Sequence, residues 1–118
     1  IAEALRLDLG KCRFEAVLTE MSFVAAEAKY PRKHLRQWMR PRRRKTSLWF
    51  LPGGSRLVPQ PLGVTGIVVP WNYPLLLAVG PMVAALAAGN RVLVKMSETT
   101  PGTGALFERL VAEVDAAR

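Results

Sequence analysis

The sequence predicts an α/β chain: N-terminal helices and a β-hairpin, followed by a strand–helix–strand–helix unit. Three observations carry that expectation. Apolar residues recur at helical spacing up to residue 41. Two short strand-like runs flank Pro52-Gly53-Gly54. From Gly63 onward, β-branched apolar runs alternate with small-residue runs of helical spacing.

Residues 1–9 read as the end of a helix stopped near Gly10. Residues 11–29 read as a second helix. Phe14, Val17, Met21, Val24 and Ala28 fall three or four apart and give it one apolar stripe. Pro31 is expected to kink or restart the helix, and Leu35, Trp38 and Met39 continue the apolar face to Pro41. Residues 41–45 form a basic connector. Residues 48–51 and 55–60 are the expected strands of the hairpin, with Pro59 and Pro61 placing the second at a sheet edge or at its end.

The pattern changes at Gly63. Residues 64–69 make a continuous apolar run of the kind expected in a strand buried on both faces. Residues 75–88 read as a helix stopped by Gly89-Asn90, and residues 91–95 as a second strand. Thr100-Pro101 is a helix start, with Thr100 as N-cap and Pro101 at the first helical position. Ala105, Leu106, Leu110, Val111 and Val114 are the expected inner stripe of a helix reaching about residue 117.

Composition bounds the function. Half of the 118 residues are apolar, so the chain can bury a core. One cysteine, Cys12, excludes an internal disulfide framework and a cysteine zinc site. No metal site is expected, and the lone thiol with no visible secretory signal fits a reducing, cytoplasmic setting. Residues 74–89 are the longest apolar run, too short for a bilayer and broken by Gly80-Pro81. The formal charge of +8 comes from residues 29–45, which hold nine Lys and Arg and no acid. Its densest part, Arg40, Arg42, Arg43, Arg44 and Lys45, raises the alternative of a nucleic-acid-binding module. It lacks interleaved aromatics or a reading motif, and no nucleic-acid partner is expected. Starting on Ile1 and ending on Arg118 within an amphipathic run, the sequence reads as a piece of a longer chain.

In a parallel βαβα unit, ligands gather beyond the carboxyl ends of the strands. Two loops lie there. The first is Pro70-Trp71-Asn72-Tyr73-Pro74, a turn rigidified by two prolines, in which Asn72 alone carries an amide donor. A fixed amide at a strand end can hold a developing oxyanion. Taken alone, an Asn in such a turn more often bonds its own backbone. The second loop is Met96-Ser97-Glu98-Thr99. A carboxylate there suits the hydroxyls of a ribose, and Lys95 can donate beside it, although an acid at a helix start is common without a ligand. The usual glycine-rich phosphate loop is absent, because Gly63 and Gly66 precede or sit within the strand.

The stretch PQPLGVTGIVVPWNYPLLLAVGPMVAALAAGNRVLVKMSETTP resembles the aldehyde dehydrogenase superfamily, through PLGV, PWNYP, ALAAGN and VKMSE in that order. The segment AEAKYPRKHLRQWMRPRRRKTSLWFLPG resembles the branch holding coniferyl-aldehyde and fatty-aldehyde dehydrogenases, where a helix ending in HLxxWM leads into a basic connector.

The resemblance implies an N-terminal helical segment over residues 1–46 and an oligomerisation-type hairpin over 47–62. It also implies the first βαβα unit of a Rossmann-like NAD-binding domain over 63–118, and a homodimer in the whole protein. It matches Asn72 to the amide that stabilises the oxyanion formed when a cysteine attacks an aldehyde. Losing one such donor costs about 3–4 kcal/mol in the transition state. It sets Val68, Val69, Pro70 and Trp71 along the cofactor and Lys95 and Glu98 on the adenosine ribose, with Ser97 as a secondary contact. The cofactor implied is NAD, with NADP as the alternative. The family's nucleophilic cysteine and general-base glutamate match nothing up to Arg118. Cys12, in the helical region, reads as a small helix residue, His34 as a solvated helix residue, and Trp38 and Trp49 as packing residues. Met96 stands where many relatives have Pro, which is expected to loosen the loop that aims Glu98.

Overall fold

A computed structural model describes residues 1–116. The order is α1 (Ala2–Leu9), α2 (Arg13–Ala16), a π turn (Val17–Met21), α3 (Ser22–Trp38), β1 (Arg42–Arg44), β2 (Ser55–Leu57), β3 (Val64–Val68), α4 (Pro74–Ala87), β4 (Arg91–Lys95) and α5 (Pro101–Ala116). The expected end of the last helix near residue 117 lies outside the described residues. The molecule is long, 64 × 27 × 25 Å, because the arginine-rich strands β1 and β2 pair away from the βαβα unit.

Gly10 closes α1 in the left-handed conformation, φ 68°, with its N–H bonded to the Arg6 carbonyl. From there α2, the π turn and α3 run on as one helical rod. The π turn changes its register. The expected stripe is rotated: Phe14 and Val17 are exposed, and the inward positions are Ala16, Glu20, Met21 and Val24. The rod also passes through Pro31 without restarting. The proline ring is buried, which offsets part of the lost N–H bond.

The hairpin differs from expectation in one strand. Arg42–Arg44 pairs antiparallel with Ser55–Leu57, and Leu48–Phe50 forms a 3-10 turn inside the connection. Every position of this two-stranded ribbon is exposed, so the pairing imposes no alternation of apolar and polar side chains. Trp49 is 93% exposed, contrary to its reading as a packing residue. Trp38 does pack, stacked on His34 with ring centroids 5.9 Å apart.

β3 and β4 are parallel, with Val64 opposite Arg91 and Val68 opposite Lys95. The core is Ile67, Val69, Leu75, Ala78 and Phe107, flanked by Met21, Val24, Val92, Val94 and Met96. Both α4 and α5 contribute to that one cluster, so they cover one face of the sheet. The other face is open: Val64, Val68 and Leu93 are exposed, where burial on both faces was expected. Along α5 the fully turned-in residues are Thr103 and Phe107. Leu110, Val111 and Val114 instead line an open apolar groove of about 750 Å³ shared with Met21, Val24 and Met82.

Each crossover has an anchor from elsewhere in the chain. Gly89, at φ 85°, ends α4. The side-chain carbonyl of the buried Asn90 accepts from Leu62 N–H (2.7 Å) and Gly63 N–H (3.0 Å), which fixes the chain as it enters β3. At α5 Thr100 holds the N-cap position, its carbonyl accepting from the Gly104 N–H, but its hydroxyl donates to the Ser97 carbonyl instead of capping the helix. Asp8 of α1 accepts from the Gly102 N–H (3.1 Å) and the Thr103 N–H (2.6 Å). A methyl group at Gly102 would sit 3.0 Å from that carboxylate, so a small residue there keeps the approach open.

Candidate active site

Both loops leave the carboxyl end of the same parallel pair. The Val69 N–H donates to the Lys95 carbonyl at 3.0 Å, so the ladder holds up to the point where the chains diverge. Asn72 and Glu98 therefore extend from neighbouring strand ends on the edge where a ligand of such a sheet sits.

Asn72 is exposed at the tip of the first loop. What is held is its backbone. Lys11 Nζ donates to the Asn72 carbonyl at 2.8 Å and to Glu20 Oε1 at 2.7 Å, and lies 4.0 Å from the centre of the Tyr73 ring. Glu20 Oε2 accepts from the Leu75 N–H (2.8 Å) and the Leu76 N–H (3.3 Å). These are orphan donors in the first turn of α4, where Tyr73 supplies no side-chain cap. Glu20 is fully buried and Lys11 8% exposed. Buried charges persist only when paired and hydrogen-bonded, as these are. Sequence reasoning missed both residues. They stand nine positions apart, and no local spacing marks them as a pair.

In the second loop Lys95 Nζ reaches Glu98 Oε1 at 2.6 Å, and both side chains are exposed. The hydrogen bond from Lys95 holds the Glu98 carboxyl below its ordinary value, so it is an ionised acceptor at neutral pH. Ser97 Oγ is shared with Thr99, by a 2.9 Å contact to its hydroxyl and a 3.3 Å bond from its N–H. Met96 packs on the core and so ties down the start of this loop. Together the loop offers an acceptor and a donor side by side, a set that fits two adjacent hydroxyls.

The four residues at the end of β3 differ in what they present. Val68, Pro70 and Trp71 are exposed, whereas the Val69 side chain is in the core. Cys12 is exposed at the start of α2, where its sulfur accepts from the Glu15 N–H at 3.5 Å. His34 Nδ1 is bonded to the Tyr30 carbonyl on its own helix. Among the described residues there is no cluster of three or more metal-ligating side chains, and no helix is long and apolar enough to cross a membrane. The apolar groove contains none of the candidate residues.

Comparison with known proteins bears on the family and the fold. The sequence pattern of the aldehyde dehydrogenase family matches residues 1–117. A probable coniferyl aldehyde dehydrogenase of Pseudomonas aeruginosa is 49% identical over 100 residues, 85% of this chain and 21% of the relative. An aldehyde dehydrogenase of Craterostigma plantagineum is 46% identical over 111 residues, 94% of this chain and 23% of the relative. A solved structure titled as the substrate-bound state of Staphylococcus aureus AldH superposes with a TM-score of 0.88 at 38% identity, covering 94% of this chain and 24% of that one. The chain thus spans less than a quarter of the length of these relatives.

Proposed function

Because this chain belongs to the aldehyde dehydrogenase family, we propose that it forms part of the cofactor site and one wall of the catalytic centre of an enzyme that oxidises an aldehyde to its carboxylic acid. The substrate is coniferyl aldehyde or another aromatic or aliphatic aldehyde; coniferyl aldehyde is the one for which two Pseudomonas relatives are named. The cofactor is NAD, with NADP as the alternative; when bound, it accepts hydride from the substrate.

The observation that carries this reading is the pair of loops at the carboxyl ends of β3 and β4. Asn72 stands at the tip of one, and the Lys95–Glu98 pair at the base of the other. Glu98, kept ionised, accepts from ribose hydroxyls while Lys95 donates to them or to a phosphate. Val68, Pro70 and Trp71, exposed along the strand end, give the cofactor a surface to lie on, Val69 adds backbone, and Ser97 is a further polar contact. Asn72 donates its amide hydrogen to the carbonyl oxygen of the aldehyde as negative charge builds there, once a cysteine nucleophile supplied by another part of the protein attacks the carbon. Cys12 is not that nucleophile. It sits exposed at the start of α2, with its sulfur accepting from the Glu15 N–H.

The whole protein works as a homodimer in this reading. Leu48, Trp49 and Phe50, at 82%, 93% and 72% exposure, cluster on the ribbon's connection and have the chemistry of an interface.

Asn72→Ala in the whole protein tests the catalytic part. Steady-state kinetics should show kcat reduced about 100- to 1000-fold with NAD affinity retained. Turnover within about twofold of the parent, far short of the loss of an oxyanion donor, would remove Asn72 from the mechanism.

A further inference from the structure

We infer that Lys11 and Glu20 are positioning residues for Asn72: this buried ion pair sets where the Asn72 amide stands. The inference rests on the reading of Asn72 as the oxyanion donor.

The pair's hydrogen bonds end on the loop. Lys11 takes the Asn72 carbonyl at one end of the turn, and Glu20 takes the Leu75 and Leu76 N–H groups at the other. Only Tyr73 and Pro74 lie between. The Tyr73 ring sits under the Lys11 cation, and Pro74 is fully buried with a fixed φ. The 2.7 Å bond between Lys11 and Glu20 closes the figure, so the two ends of the turn are joined through two side chains from another segment. The turn cannot shift along the sheet edge without breaking a charge-assisted bond.

A buried ion pair is a poor device for stability alone. Apolar residues of the same volume often do as well or better, because both charges must leave water. What this pair supplies is direction. Its donors and acceptors are spent on three backbone groups within five residues of one another, and one of those belongs to Asn72 itself. The reach of an oxyanion donor is short, and a displacement of about 1 Å can lower a rate about 100-fold. The π turn serves the same end. Glu20 lies within it, and the helix turned at that point brings Glu20 to the first turn of α4 beside Met21.

A double-mutant cycle on kcat in the whole protein tests the inference, with Lys11→Met, Asn72→Ala and the combination. Lys11→Met alone should lower kcat about 10- to 100-fold, with the NAD dissociation constant within about twofold of the parent. Placed on Asn72→Ala, the same change should cost less than about twofold more, because two residues that act through one group are not additive. Lys11→Arg, which keeps the charge and the donors, should recover most of the loss. If Lys11→Met does not fold, Glu20→Gln takes its place in the cycle, since it keeps one acceptor oxygen for the Leu75 and Leu76 N–H groups and replaces the oxygen that holds Lys11 by an uncharged NH2 that cannot accept from it.

The outcomes separate the two ideas. If Asn72→Ala itself retains turnover, the oxyanion reading fails and this inference falls with it. If Asn72→Ala is impaired but Lys11→Met is not, or if the two losses multiply, the positioning role is wrong and the reading of Asn72 stands.

Discussion

Asn72 and Glu98 leave the carboxyl ends of adjacent parallel strands, yet the supports behind them differ. The Asn72 turn is bounded by two prolines and bonded to a buried Lys–Glu pair contributed by residues more than fifty positions earlier. Past Met96, which packs on the core, the Glu98 loop is held by short local bonds in contact with solvent, between Lys95 and Glu98 and between Ser97 and Thr99. The contrast follows the chemistry assigned to each. A donor that meets charge only in the transition state must already be in place, since moving it would consume the stabilisation it provides. A carboxylate that accepts from two hydroxyls of a bound ribose can settle as the ligand arrives.

Removing one support at a time should expose this difference. The largest loss of stability is expected from Glu20→Ala. It strands the buried Lys11 charge and uncaps α4, and it should cost about 3–5 kcal/mol in urea unfolding of the whole protein. A cost below about 1 kcal/mol, the range of an exposed pair, would mean that water reaches the site and the loop is not clamped.

Asp8→Ala should come next, at about 1 kcal/mol, because it removes an acceptor from the first turn of α5. This contribution depends on pH. Burial raises the Asp8 carboxyl, but bonds from Thr103 and Gly102 outweigh it, and the group lies below its ordinary value of 3.8 in the folded state. The cap is therefore fully effective above that value and is lost as pH falls through the lower, folded-state value. The stability gap between Asp8→Ala and its parent, measured by urea melts at neutral pH and near pH 3, should narrow at the acid end. A gap that widens would reverse the assigned sign.

The smallest effect is expected at the exposed loop. Glu98→Gln should weaken NAD a few-fold and NADP less, since a carboxylate repels a 2′-phosphate. Isothermal titration of both cofactors reads this directly. An unchanged preference would separate Glu98 from the ribose.

Most of the βαβα unit was legible because each of its signals is local. Residues 91–95 form β4 as expected, and residues 75–88 fall within a position of α4 at either end. The alternation of strand and helix from Gly63 likewise puts Asn72 and Glu98 in the loops just after the two strands. What escaped was the support between segments. Asp8 caps α5 from ninety-four positions away, where Thr100 stood as the local candidate. Glu20 occupies a core position that apolar periodicity assigned to other residues, because the π turn alters the period on which the expectation rested. The arginine strand β1 was hidden for a different reason. A solvent-exposed ribbon imposes no alternation of apolar and polar residues, so pattern could not mark it.

The decisive measurement is a crystal structure of the whole protein with NAD and a slowly reacting aldehyde analogue bound. The Glu98 carboxylate should lie on the adenosine ribose hydroxyls. The Asn72 amide nitrogen should lie within hydrogen-bonding distance of the analogue's carbonyl oxygen, with Lys11 still on the Asn72 carbonyl. A ribose bound elsewhere, or an Asn72 amide turned from the carbonyl oxygen, would overturn the roles given to these two loops.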